Sequence, residues 1–321
     1  LALALGATAC SGGSGVDGDD GGGGGEDAAA DTTVPGGPDG DLYVLITNSE
    51  GIAAPGLDAL VESVFREPAT TTAVVVPDVS SPVPPAPLAE GQVPTVSYAP
   101  TARGFPGIVV AADTADAVRR ALAESIGGLP ENETAPDLVI AGINTGQLIG
   151  SLADFSSNVP AAQAAVDAGI PALVVAQGVD EAVPEYAAGA AQARAWIDEH
   201  RDALLAGDEP AQVTLLNVPS CAAGGVRGVV EVPVAADDAG RSLAAVDCNS
   251  PAEDPVDDVA AFTTGYATLS VLPAAVVGAG YHGAVGSKGA VGDGKGAVVV
   301  GNRTAVVGAV VPEGGAGQEH I

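Results

Sequence analysis

Between positions 42 and 218, short apolar runs alternate with helix-patterned stretches, and this alternation constrains the fold more than any other feature of the chain. Leu42-Tyr-Val-Leu-Ile-Thr47 is β-rich and apolar throughout, as suits a strand buried on both faces. Asn48-Ser-Glu-Gly51 follows as a turn, and residues 55–65 carry Leu57, Leu60, Val61 and Val64 at helical spacing. Residues 72–76 form the next apolar run, closed by Pro77-Asp78. Residues 80–106, rich in Pro, Ser and Ala, read as a long loop or hairpin excursion. Strands are then expected at 108–110, 136–140, 171–176 and 213–218, and helices at 114–126, 159–168 and 184–205. Thr114 is the candidate N-cap of the first of these helices. The pattern predicts an α/β fold with a mainly parallel sheet and helices on both faces. Ligands of such sheets sit beyond the carboxyl ends of the strands.

Charge narrows the partners. The 321 residues include 41 acidic and only 11 basic side chains, for a net charge of −30. Nucleic-acid binders need Lys and Arg to displace phosphate counterions, and a polybasic membrane patch needs the same residues. Neither kind of partner is expected, so contact with a membrane is left to a lipid anchor. Residues 1–10, Leu-Ala-Leu-Ala-Leu-Gly-Ala-Thr-Ala-Cys10, are too short and too small-residued to span a bilayer. They read as the end of a signal peptide running into a bacterial lipobox, with Cys10 the lipidated residue and Ala7 where Leu is usual. A plain signal peptide with an incidental Cys is the alternative. Residues 11–40 hold seven acidic side chains, many glycines and no basic residue, the composition of a flexible, self-repelling tether. The expected localisation is therefore the cell envelope, with an exported domain anchored to the outer face of the membrane. Outside the cytoplasm Cys221 and Cys248 could pair as a disulfide, or they stand as two free thiols.

Residues 274–321 are of low complexity, rich in Gly, Ala and Val. Gly278-Ala-Gly-Tyr-His-Gly283 and Gly289-Ala-Val-Gly-Asp-Gly-Lys295 imitate a dinucleotide fingerprint and a P-loop. The first lacks a following helix and acidic residue; the second has Gly296 where a Mg²⁺-binding hydroxyl belongs. Chance matches are expected in such a tail. The three histidines, His200, His282 and His320, are not placed for a catalytic triad.

The chemistry is expected at three polar turns that end strands: Thr47-Asn-Ser-Glu-Gly51, Pro77-Asp-Val-Ser-Ser81 and Gly142-Ile-Asn-Thr-Gly146. Their carboxylate, amide and hydroxyl oxygens suit a hard divalent cation such as Mg²⁺ or Mn²⁺. Simple turn chemistry is the plainer reading of the same residues.

The motifs go further. Asn48-Ser-Glu-Gly-Ile-Ala-Ala-Pro-Gly56 resembles the opening Asn-Asp-Asp-Gly-(Ile/Val)-x-Ala-Pro-Gly of the SurE family of survival-protein nucleotidases. Pro136-Asp-Leu-Val-Ile-Ala-Gly-Ile-Asn-Thr-Gly146 resembles that family's Pro-Asp-(Leu/Ile)-Val-x-Ser-Gly-Ile-Asn-x-Gly. Thr114-Ala-Asp-Ala-Val118, Leu216-Asn-Val-Pro219 and the segment from Asp258 through Gly265-Tyr266 to Ser270 match further family motifs in order. The resemblance covers residues 41–273. It implies a Rossmann-like, three-layer αβα fold, a homodimer, and a divalent-metal phosphomonoesterase acting on nucleoside 5′- and 3′-monophosphates or another phosphomonoester. The metal would draw on an acidic pair, a Ser after the second strand and the Asn of Gly-Ile-Asn.

Carried over residue by residue, Asn144 is intact and Glu50 keeps the charge of the second Asp with one extra methylene. Ser49 replaces the first Asp, which removes a charge and a base. Pro82 stands where the Ser ligand is expected, so Ser81 takes that place only after a register shift. The expected metal set is Ser49, Glu50, Ser81 and Asn144, with Ser49 and Glu50 the catalytic pair. Two readings follow: a divergent hydrolase, or a SurE-like protein that binds a nucleotide or phosphate ligand without turnover.

Overall fold

A computed structural model of the chain describes residues 40–80, 86–89, 91–123, 135–179, 186–237 and 239–272. Cys10, the tether up to residue 39, Ser81 and the tail from residue 274 lie outside the described residues.

Nine strands form one sheet: β1 (Leu42–Thr47), β2 (Thr70–Pro77), β3 (Val96–Pro100), β4 (Pro106–Val110), β5 (Leu138–Thr145), β6 (Ala172–Gln177), β7 (Val213–Val218), β8 (Val229–Glu231) and β9 (Ala267–Val271). Their order is β3-β4-β2-β1-β5-β6-β7-β9-β8. The six strands from β4 to β7 run parallel, whereas β3 and β9 pair antiparallel with β4 and β7. The helices are α1 (Pro55–Phe65), α2 (Thr114–Ala123), α3 (Asn158–Val166), α4 (Tyr186–Ala206) and α5 (Asp258–Thr263).

Strand alternation sorts side chains into two cores. Leu42, Val44 and Ile46 of β1 join Leu57 and Leu60 of α1 and Trp196 and Ile197 of α4 on one face. Tyr43 and Leu45 join Val118 of α2 and Ala161 and Ala165 of α3 on the other. The result is the three-layer, Rossmann-like arrangement with a mostly parallel sheet. Alanine fills much of the α2/α3 layer, as a chain with ten aromatic residues requires.

Local signals explain most boundaries. Pro55 opens α1, where a missing N–H costs nothing. Asp113, not Thr114, caps α2: its carboxylate accepts the Asp116 N–H at 2.7 Å, and its carbonyl accepts from Ala117. Thr114 is already inside the helix. Within the 80–106 excursion, residues 96–100 pair with β4 as an antiparallel edge strand. β5 runs on past Ile140 through the Gly-Ile-Asn motif, with a register irregularity against β6 between Ala141 and Asn144.

At the β8 end, Cys221 and Cys248 are joined by a disulfide with Cα atoms 5.8 Å apart. Asp258 is fully buried and accepts the backbone N–H groups of Gly150 (2.9 Å) and Ala235 (2.8 Å). It thereby ties the segment after β5 to the segment after β8. Among the described residues no helix is long and apolar enough to cross a membrane.

Candidate active site

The carboxyl ends of β1 and β5 lie side by side, because these strands pair in register through Thr47 and Ala141. Asn48, the first residue beyond β1, is completely buried. Its amide donates to the Ile143 carbonyl at 3.0 Å, and its Oδ1 accepts the Glu50 N–H at 2.6 Å. One side chain therefore fixes both the turn after β1 and the irregular part of β5. Close packing reinforces this. A Cβ at Gly56 would lie 2.2 Å from the Ile143 carbonyl oxygen, and one at Gly142 would lie 2.5 Å from that of Val175. Gly51 sits at φ +84°, and a Cβ there would overlap Val79, so the turns after β1 and β2 touch.

Three of the four expected ligand residues fall within this arrangement. The Ser49 N–H donates to Asn158 Oδ1 at 2.9 Å, and Asn158 Nδ2 donates to Asn144 Oδ1 at 3.3 Å. Asn144 Nδ2 turns back to the carbonyls of Thr145 and Gly146. Both oxygens of Glu50 are engaged by Thr145: its N–H lies 2.8 Å from Oε1 and its hydroxyl 2.9 Å from Oε2. The Thr145 hydroxyl also meets the Tyr186 hydroxyl at 2.7 Å. Ser49, Glu50 and Asn144 are thus joined in one partly exposed network by Asn158 and Thr145. Ser81, the fourth, lies outside the described residues.

Asp78 stands just past β2, with its N–H bonded to the Val110 carbonyl. Hydrogen bonds from the Ser80 side chain and backbone hold its carboxyl below the ordinary carboxylate range. Leu148, two residues past the Gly-Ile-Asn-Thr-Gly turn, is buried in the α2/α3 core. Its backbone N–H and carbonyl both bond the Asn217 side chain.

A groove of about 870 Å³ lies between α1 and α4 and begins at Pro55 and Tyr186, beside the network. Arg66, Arg103 and Arg194 line it. Each is paired with an acid: Arg66 and Arg103 with Glu62, and Arg194 with Glu67. Three of the chain's 11 basic residues thus line this groove, each paired with an acid.

Residues 44–239 match the sequence profile of the family described as survival protein SurE. The chain belongs to the SurE family. A protein named 5′-nucleotidase SurE from Chloroflexus aggregans is 29% identical over 250 residues, covering 71% of this chain and 92% of that protein. Proteins of the same name from Desulforudis audaxviator and Desulfatibacillum aliphaticivorans are each 33% identical, over 180 and 138 residues. Here the chain spans only 65% and 50% of those relatives' lengths. The crystal structure of SurE protein from Aquifex aeolicus superposes with a TM-score of 0.55 at 19% identity, covering 76% of this chain and 96% of that one. At that identity the likeness establishes the fold.

The donor set can be weighed against a SurE-type cation. Among the described residues no three His, Cys, Asp or Glu side chains gather around one point. The crevice instead offers one carboxylate, one amide and one hydroxyl from Glu50, Asn144 and Ser49. An all-oxygen set fits a hard cation that keeps much of its water, and each Glu50 oxygen retains an acceptor position beyond its bond to Thr145. The set is one carboxylate poorer than the family's acidic pair, so it fits such a cation weakly.

Sequence reasoning did not single out Asn48, Thr145, Asn158 or Tyr186. Asn48 and Thr145 lie inside the quoted motifs, and Asn158 ends the Ser156-Ser157-Asn158 stretch that stands for the family's Ser-Gly-Thr. Tyr186 carried no local signal.

Proposed function

We propose that this chain is a divergent, divalent-metal-dependent phosphomonoesterase of the 5′/3′-nucleotidase type, acting on nucleoside monophosphates at the carboxyl ends of β1 and β5. The observation that carries the reading is the network joining Ser49, Glu50 and Asn144 through Asn158 and Thr145. Glu50, Asn144 and the Ser49 hydroxyl would hold Mg²⁺ or Mn²⁺. When bound, the cation supplies polarisation of a phosphoryl oxygen and a more acidic water. Glu50 contributes a carboxylate oxygen able to take a proton from a water at its remaining acceptor position. Asn158 orients the Asn144 amide and the backbone of Ser49. Asn48 keeps the turn after β1 against Ile143, so these groups hold their places when a ligand enters.

Phosphate release from AMP and GMP with Mn²⁺ or Mg²⁺ is the direct test, and Asn144→Ala should abolish it. No turnover across nucleotides, sugar phosphates and polyphosphate would sink the hydrolase.

One observation favours a second reading, ligand binding without turnover: among the described residues Glu50 is the one carboxylate in the Ser49–Asn144 network, and both its oxygens already accept hydrogen bonds. Calorimetric binding of AMP in EDTA, with no phosphate released when Mn²⁺ is present, is the result that would select it.

Export and lipid anchoring through Cys10 complete the proposal. A disulfide between Cys221 and Cys248 suits an oxidising compartment. Metabolic labelling with a fatty acid, lost in Cys10→Ser, tests the anchor. Sedimentation equilibrium tests the homodimer that the family resemblance implies.

A further inference from the structure

Glu50 differs from the acid it replaces by one methylene, and so by one more rotatable bond to be frozen when its carboxylate is placed. The structure shows what freezes it. Among the described residues, Thr145 grips both oxygens, one through a backbone N–H at the end of β5 and one through its hydroxyl. Two donors from one residue fix the position and the plane of the carboxylate, yet use only one acceptor position on each oxygen.

The direction of the chain follows from proton counting. A carboxylate is acceptor-only, and a Thr hydroxyl has a single proton. That proton lies towards Glu50 Oε2, so in the 2.7 Å contact the Tyr186 hydroxyl donates and Thr145 accepts. Tyr186 begins α4, whose Gly189 N–H bonds the buried Gln177 Oε1 at 2.9 Å. Gln177 in turn donates to the Val218 carbonyl and Ser220. The chain Gln177–α4–Tyr186–Thr145–Glu50 therefore runs from the ends of β6 and β7 to the crevice.

We propose that Thr145 and Tyr186 are positioning residues that fix the Glu50 carboxylate in the crevice and compensate for its extra methylene. The inference rests on the site reading above only for what Glu50 then does. The fixing of Glu50 stands on the hydrogen bonds themselves.

The test uses the whole chain with Thr145→Val, Thr145→Ser and Tyr186→Phe. Two readouts are taken: the place of the Glu50 side chain in crystals, and Mn²⁺ binding followed by the resonance of free Mn²⁺. Thr145→Val keeps the backbone N–H but removes the hydroxyl, so the Glu50 carboxylate should turn out of its plane about Oε1 and Mn²⁺ binding should weaken about tenfold, the usual scale for an outer-shell loss. Thr145→Ser should restore both. Tyr186→Phe should leave Glu50 in place but weaken binding about two- to threefold, because the Thr145 hydroxyl loses its orienting donor. Shortening the acid, Glu50→Asp, should weaken binding in the wild-type background and add little in Thr145→Val.

A Glu50 that keeps its place in Thr145→Val overturns the proposal, whereas a displaced Glu50 with unchanged Mn²⁺ affinity supports the positioning role and removes Glu50 from the cation site. A wild-type protein that takes up no Mn²⁺, combined with a displaced Glu50 in the variant, supports the positioning role and sinks the cation instead.

Discussion

Two carboxylates, Glu50 at the β1–β5 crevice and Asp258 at the start of α5, show what separates an acid open to a ligand from one closed into the fold. Asp258 is completely buried and spends its oxygens on backbone N–H groups from two separate segments. Burial closes it off from any ligand and is the main cause that pushes its carboxyl above the ordinary range. Glu50 is half-exposed, is gripped from one side by one residue, and keeps acceptor positions open. The lesson is that partner count alone does not identify function. What matters is whether the partners close the group off.

The sharpest way to break this comparison begins beside Asp258. Removing the disulfide with Cys221→Ser and Cys248→Ser frees a loop of 27 residues and should cost about 3 kcal/mol by urea unfolding. Phosphate release per folded molecule should be unchanged.

Next in size, Asp258→Asn replaces one acceptor oxygen by an amide that faces a backbone N–H. The loss should be about 2 kcal/mol, read as a lower urea midpoint with an unchanged m-value.

A smaller effect concerns pH. Asp113 and Asp258 both have their carboxyls raised, mainly by desolvation. The folded state therefore binds protons more readily than the unfolded one at these two groups. Their contribution to stability is fully present below the unfolded value of about 3.9 and is lost as pH rises through the higher folded values. Wild type should show this decline just above the ordinary Asp range, and Asp258→Asn should show a shallower one. Equal slopes would remove Asp258 from the account.

The smallest stability change should come from Glu50→Gln, within about 0.5 kcal/mol because the site is partly exposed. The same variant should nevertheless abolish Mn²⁺ uptake. A large loss of stability there would erase the distinction between the two acids.

How much of this was legible in the sequence depends on the range of the forces involved. β1, α1 and β7 were readable to the residue, because each is a continuous run whose own pattern and flanking Pro or Gly decide it. β8 has three residues and exists by pairing with β9, a partner 38 positions away. The register of β5 beyond Ile140 depends on Asn48 from another strand. Asn144 was legible as a candidate site residue because its motif is local. Tyr186 was not: its contact with Thr145 spans 41 positions and is made by the packing of α4. The choice of Asp113 over Thr114 as cap turned on one residue of phase, which pattern reading does not fix.

Asn48 carries one more consequence. Because its buried amide locks the turn after β1 onto β5 from beneath, while the Glu50–Thr145 bonds lie on the partly exposed rim, the shape of the crevice depends more on Asn48 than on positions 49 and 50. Mutational drift there is nearly free of folding cost. A lineage could exchange one reagent for another, or discard catalysis altogether, while inheriting the same scaffold. Ser49 and Glu50 are where such a change would be recorded, and Ser49→Asp would ask whether one substitution gives the crevice the acidic pair of the family motif.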